Sequence, residues 1–576
     1  MERKKFNIWT TSSFLIFITY LVFLVYPIFT VLKQAVISKG SLSFDNFSNF
    51  FSKAYYSETL VNSFKVSLTA TATSLLVGTL LAYLFSMYDF KGKKFLQILI
   101  IIASMSAPFV GAYSWILLLG RNGVVTKFAT NLLHLPPIDI YGFKGIVLVF
   151  TLQLFPLVFL YVSGTMKNID NSLLEAAESM GSYGLNRIVK VMLPLLVPTL
   201  LAAALLVFMR AFSDFGTPML IGEGYRTFPV LIYTEFISEV GGNSAFASAL
   251  AVMAIVIALI IFLSQRYIAN KFSFSMNSLH PIEPRKTTKG KKLLIYMTVY
   301  GIVFLSVLPQ FYLMYTSFLK TSGMVFVKGY SLNSYKVAFS RMGSAIFNTI
   351  RIPMMALILV VIFATFISYL AVRKRNIFTS LIDSLSMVPY IVPGTVLGIA
   401  FISSFNTGMF SSGFLMITGT AFIMIMSLSV RRLPYTIRSS VASLQQIAPS
   451  IEEAAESLGS SRLNTFVKIT TPMMLSGIIS GAILSWVTMI SELSTSILLY
   501  NVRTRTMTVA IYTEVLRGNY GIAAALSTIL TILTVVSLLI FMKISKNKSI
   551  ALWSRRYSRF NISSHRIEFT LPWQFS

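Results

Sequence analysis

Asp214 and Glu492 are the residues of this chain whose type and spacing first suggest chemistry. Each acid stands 20 residues beyond a proline, Pro194 and Pro472 respectively. Carboxylates in apolar surroundings can steer or briefly bind a cation. They can equally cap a broken helix end, or pair with Arg210 or Arg226. At about 1.5 Å per residue the spacing spans about 30 Å, which puts both acids near the outer mouth of a membrane-sized element. Other chemistry has little to work with. There is no cysteine, and the three histidines, His134, His280 and His565, form no ligand-spaced pair, so no metal site is expected. A phosphate-cradling loop needs Gly-Lys followed by Ser or Thr, whereas Gly92-Lys93 and Gly290-Lys291 are each followed by lysine. No catalytic residue and no bound cofactor are expected, and the chain is not read as an enzyme.

A second constellation is written twice. Glu175-Ala176-Ala177-Glu178-Ser179-Met180-Gly181 recurs 278 residues later as Glu453-Ala454-Ala455-Glu456-Ser457-Leu458-Gly459. From Glu175 to Pro194, twelve of twenty positions match their partners from Glu453 to Pro472. Ser172…Glu175 and Ser450…Glu453 have capping-box spacing, which starts a helix. The alanine pair favours helix with little bulk. Gly181 and Gly459 stop it where a left-handed residue is favoured. Capping alone does not require Glu178/Glu456 or Ser179/Ser457, so a polar interaction helix is expected in each copy.

These residues sit among membrane-length elements. Hydrophobic residues make up 55% of the 576-residue chain and charged residues only 12%, the composition of an integral membrane protein. A crossing helix needs about 20 apolar residues, and Ser13–Leu32, free of charge, qualifies as a retained span rather than a signal peptide. The alternating segments of a membrane barrel are absent. The expected fold is all-α and polytopic, with about twelve spans at 12–33, 60–87, 95–119, 145–165, 193–212, 246–264, 293–317, 345–371, 379–403, 413–430, 473–490 and 521–542.

The net charge of +28 is mostly a topology signal. Arg3-Lys4-Lys5, Lys91-Gly92-Lys93-Lys94, Arg373-Lys374-Arg375 and Arg431-Arg432 all fall on the side that holds both termini and both repeated helices. The positive-inside rule makes that side cytoplasmic, and no nucleic-acid partner is expected. Residues 270–292, polar, basic and broken by Pro281 and Pro284, form a cytoplasmic linker between halves at 1–269 and 293–545. The tail, 546–576, mixes basic residues with Trp553, Tyr557, Phe560 and Trp573, a pattern suited to a membrane lipid surface. Asn62…Tyr83-Leu84 matches Asn348…Tyr369-Leu370, and Tyr233-Thr234-Glu235 matches Tyr512-Thr513-Glu514. With six spans between copies the halves are parallel repeats.

Glu-Ala-Ala, three residues, Gly, and a Pro some thirteen residues on resembles the signature of the membrane subunits of binding-protein-dependent ABC importers. The likeness covers both halves. It implies a type I ABC importer permease fold of two six-helix bundles in the plasma membrane of a bacterium. It also implies that Glu175, Ala176, Ala177, Glu178, Gly181 and Pro194, with Glu453, Ala454, Ala455, Glu456, Gly459 and Pro472, belong to elements coupled to two copies of an ATP-binding subunit. ATP and Mg would be bound by those partners, and an extracytoplasmic binding protein would dock on loops such as 34–59 and 320–344. Fused permeases of this size are similar to ferric-iron permeases, and Ser213-Asp214-Phe215-Gly216-Thr217-Pro218 strengthens that likeness, with Asp214 and Glu492 as a possible substrate path. Similar permeases serve thiamine, phosphonates and phosphorylated sugars, and an anionic cargo would meet Arg210, Arg226, Arg503 and Arg505. An ion-driven secondary carrier is the competing class.

Overall fold

Apolar runs of 20 or more residues leave the backbone no partner but itself in lipid, so helices dominate. The computed structural model describes residues 8–38, 41–105, 107–137, 139–237, 244–271, 280, 282, 284, 288–322, 325–409 and 413–560. Among the described residues, eight helices are long and apolar enough to cross a membrane: Trp9–Val36, Ala54–Met87, Phe143–Met166, Ile188–Ser213, Ser244–Gln265, Lys289–Thr316, Asn333–Arg373 and Tyr520–Phe541. Three more candidates are helix pairs bent at short breaks: by 103° between Lys93–Ser104 and Phe109–Leu132, by 113° between Ile377–Ile391 and Gly394–Phe405, and by 67° between Arg462–Met473 and Leu475–Ile490. Of the about twelve expected spans, eleven correspond to these eight helices and three bent pairs.

The tenth expected span, 413–430, is displaced. Its helix runs Ala421–Gln445 and carries Arg431 and Arg432 within it. Those two arginines are therefore not a loop charge cluster. Arg431 lies about 15 Å from the first residue of that helix. The final helix continues unbroken from Tyr520 to Phe560, past the boundary expected at 545. Residues 561–576 of the tail and most of the 270–292 linker lie outside the described residues.

The two sequence halves exchange their first helices. Trp9, Ile16, Tyr20, Leu24 and Val31 pack into the core formed largely by the second half. Ile295, Val299, Val303 and Val307 pack into that of the first. Asn376 Nδ2 donates to Ser13 Oγ at 3.3 Å, while Tyr296 and Tyr300 hold the backbone of Lys91 at 2.9 and 2.8 Å. At the opposite end, Asn348 Nδ2 reaches the carbonyls of Arg503 and Arg505 at 2.8 and 3.1 Å, and Asn62 Nδ2 reaches Arg226 O at 3.1 Å. Two antiparallel hairpins lie in the loops expected to face a docking partner: Ile37–Ser38 with Ser41–Leu42, and Leu319–Ser322 with Val325–Tyr330.

Candidate functional site

The repeated segments form the short helices Asn171–Ser179 and Ser450–Ser457. Their starts differ from the expected capping boxes. In the first, Asp170 accepts from Ser172 N at 3.0 Å and Glu175 Oε1 accepts from Asn171 Nδ2 at 2.6 Å. In the second, Pro449 precedes the helix and no side chain caps it. The ends agree with expectation: Gly181 has φ +79° and Gly459 φ +86°, the left-handed conformation that glycine adopts without steric cost. Ser182 N and Ser460 N close these turns on Ala177 O and Ala455 O at 2.9 and 3.0 Å.

Glu175, Ala176, Gly181, Glu453, Ala454 and Gly459 are exposed, while Ala177 and Ala455 pack inward and Glu178 and Glu456 are half-buried. Beside each glycine stands a large apolar side chain in the open, Met180 at 87% exposure and Leu458 at 90%. The two side chains match in position and in kind. The chain then turns through five π-helical residues, Ile188–Met192 and Phe466–Thr470, immediately before Pro194 and Pro472. Proline has no N–H to donate, and wider turns recur where the regular ladder is interrupted.

Each copy is tied to its bundle by a different pair. Arg187, buried, bonds Glu178. In the second copy Glu452 takes that task. Its carboxylate accepts from Arg373 Nε at 3.1 Å, Tyr369 Oη at 3.3 Å and Thr470 Oγ1 at 3.2 Å. In the first half Met87 and Leu174 hold the positions of Arg373 and Glu452, and both are buried in one apolar core. Losing one partner of a buried pair costs about 3 kcal/mol or more. Glu452→Leu alone is therefore expected to destabilise the protein by about 3 kcal/mol, and adding Arg373→Met restores most of it. Denaturant titration in detergent checks this; a double variant no more stable than the single one overturns it.

The bundle interior holds a second site, a cavity of about 230 Å³ whose walls include Arg210, Asp214, Tyr390, Arg431, Arg432 and Glu492. It lies deeper than the mouth position estimated for the two acids. Ser429, two residues before Arg431, bonds Ala356 O at 3.3 Å, and Ala356 is about 12 Å further along its helix than Asn348. Asp214 Oδ1 accepts from Thr217 N at 2.8 Å, and Glu492 Oε1 from Thr495 N at 3.1 Å. Both acids thus brace the helix break at which they stand, through the N–H three residues on. Neither pairs with Arg210 or Arg226; Arg226 instead lies over the Tyr55 ring at 4.9 Å. Glu492, its side chain 4% exposed, bonds both Arg431 and Arg432. Arg431 also donates to Thr495 Oγ1 at 2.9 Å.

Sequence reasoning missed these arginines because their clustering resembled a loop signal. Pro434 held the clue: aligned with Pro156 of the first half, it places Arg431-Arg432 opposite Gln153-Leu154, which lie inside the apolar helix Phe143–Met166. Among the described residues no group of three or more metal-ligating side chains is assembled.

The family model described as the binding-protein-dependent transport system inner membrane component matches residues 74–274 and 368–548. The chain is 29% identical over 454 residues to the ferric transport system permease protein FbpB of Actinobacillus pleuropneumoniae, covering 77% of this chain and 65% of that protein. It is 25% identical over 493 residues to the Fe(3+)-transport system permease protein FbpB 2 of Haemophilus influenzae, covering 84% and 90%. A protein described as a 2-aminoethylphosphonate transport system permease, PhnU of Salmonella typhi, is 25% identical over 246 residues, covering 42% and 84%. The chain spans 65% of the length of the first of these relatives. With both repeats matched, the chain belongs to the family of binding-protein-dependent transport system inner membrane components, multi-pass and all-α.

Proposed function

We propose that this chain is the transmembrane permease subunit of an ABC importer, moved by a separate ATPase and supplied by an extracytoplasmic binding protein. The observation that carries this reading is the pair of short helices, each ending in a left-handed glycine beside an exposed apolar knob, Met180 or Leu458. Two copies of one ATP-binding subunit, holding ATP and Mg, engage them from the cytoplasm. Closure of those subunits draws the helices together and rocks the bundles from inward-open to outward-open. The chain contributes no chemistry of its own. Both termini are cytoplasmic, and the binding protein docks at the face that carries the two hairpins.

Ferric iron is the leading cargo, on the likeness to the two ferric permeases. The arginines of the cavity favour a phosphonate as the second reading, in line with the 2-aminoethylphosphonate relative. Burying a Met or Leu at an interface contributes about 1.5–3 kcal/mol. Met180→Asp with Leu458→Asp is therefore expected to abolish co-purification of the ATP-binding subunit while membrane insertion is kept. Unchanged co-purification, or solute uptake by the purified chain on an ion gradient alone, overturns the reading.

A further inference from the structure

The cavity has a polarity that a path for a bare cation would not need. Of its two acids, Glu492 is held by Arg431, Arg432 and Thr495 N, while Asp214 accepts one backbone bond, from Thr217 N. Three arginines face two acids there, and Arg210 has no ion-pair partner among the described residues. Two further polar atoms in the wall are buried without a hydrogen-bond partner, Arg432 Nε and Gln153 Oε1. Buried polar groups are ordinarily satisfied, and these two belong to residues that line the cavity. Arg432 also lies over the Tyr435 ring at 5.9 Å.

The repeat makes the bias sharper. At equivalent positions the first half offers Gln153 and Leu154 where the second offers Arg431 and Arg432, and Arg210 where the second has Thr488. Symmetry alone would have given matched walls; the departures add positive charge on both sides. A trivalent ion stripped of water needs hard oxygen ligands, such as free carboxylates. A ligand carrying its own oxygens needs donors and positive charge instead.

We infer that the cavity between the halves receives an oxyanion-bearing ligand, with Arg210, Arg432 and the Gln153 amide contributing its polar contacts, so that a ferric cargo crosses as an anionic chelate and not as the bare ion. The inference rests on the importer reading and names the cargo's chemical class. At about 230 Å³ the cavity is below the roughly 300–1,000 Å³ of clefts that enclose drug-sized ligands, which limits the ligand to a small molecule.

The test is equilibrium binding to the full chain in lipid nanodiscs, with ferric citrate, 2-aminoethylphosphonate and Gd³⁺ alone as probes. One of the two anionic probes is expected to bind. Arg210→Gln weakens that binding about tenfold or more, the loss of one charge-assisted contact, whereas Arg210→Lys keeps it within a few-fold. Citrate binding identifies a carboxylate chelate, and phosphonate binding identifies the phosphorus oxyanion. Gd³⁺ binding that is lost in Asp214→Asn overturns the inference. So does anion binding indifferent to Arg210→Gln, or no binding of either anion. Arg210 is exposed, so an unchanged melting temperature in Arg210→Gln separates a lost contact from a lost fold. Because no ATPase is present, failure here leaves the importer reading standing, and failure of ATP-driven uptake leaves the binding result standing.

Discussion

Replacing Gly181 and Gly459 together by tryptophan abolishes ATP-driven uptake while the chain still inserts. Both glycines hold φ near +80°, where a residue with a Cβ costs about 1–2 kcal/mol. That strain falls on exposed turns outside the two cores, so it loosens a helix end without unfolding a bundle. A Cβ at either position meets nothing within 4 Å in this chain. The added bulk is therefore felt by whatever approaches the turn. Gly→Ala at both sites isolates the strain and is expected to leave partial uptake; Gly→Trp adds occlusion and leaves none. Uptake in cells expressing the whole transporter, normalised to the amount of permease in the membrane fraction, provides the measurement. Normal uptake by the double tryptophan variant defeats the coupling assignment.

Glu492→Ala has the largest expected effect on stability. Its carboxylate is the acid that Arg431 and Arg432 both bond, deep in the bundle. Removing one partner of a buried pair costs about 3–5 kcal/mol because the remaining charge is left unpaired. Here two guanidiniums are left, so a loss at the upper end, about 5 kcal/mol, is expected. The first half shows how to relieve it. Glu492→Gln combined with Arg431→Gln and Arg432→Leu recreates the Gln153-Leu154 arrangement and removes the unpaired charges. That triple variant is expected to recover most of the stability lost, as read by thermal unfolding in detergent and by yield. If Glu492→Ala melts like the parent, the ion triad contributes nothing and the description of the cavity wall fails.

The duplicated helices could be seen in the chain because everything that shapes them is local. Alanine propensity and a glycine stop act within one or two turns, so Gly181 and Gly459 had a recognisable role before any fold was known. Their starts were less legible: Asp170 and Pro449 lie just outside the repeat and displaced the serines from the capping position. The cavity was harder still. Glu492 meets Arg431 and Arg432 across some sixty residues, and an arginine pair near an apolar run has the same composition whether it ends a span or lies within one. The bends near 392 and 474 were equally hidden, because an apolar run records length and not direction. The exchange of first helices between the halves depends on packing between surfaces that are apolar throughout, which no periodicity distinguishes.

Covalent joining of the halves has a consequence at the Arg431–Arg432 pair. In a twofold complex of identical subunits every substitution arrives in duplicate, and an arginine pair at this depth would bring a second one facing it. A single polypeptide escapes that obligation. One flank can keep the neutral Gln153-Leu154 while the other turns cationic, giving the cavity an asymmetry that no assembly of two equal copies could acquire.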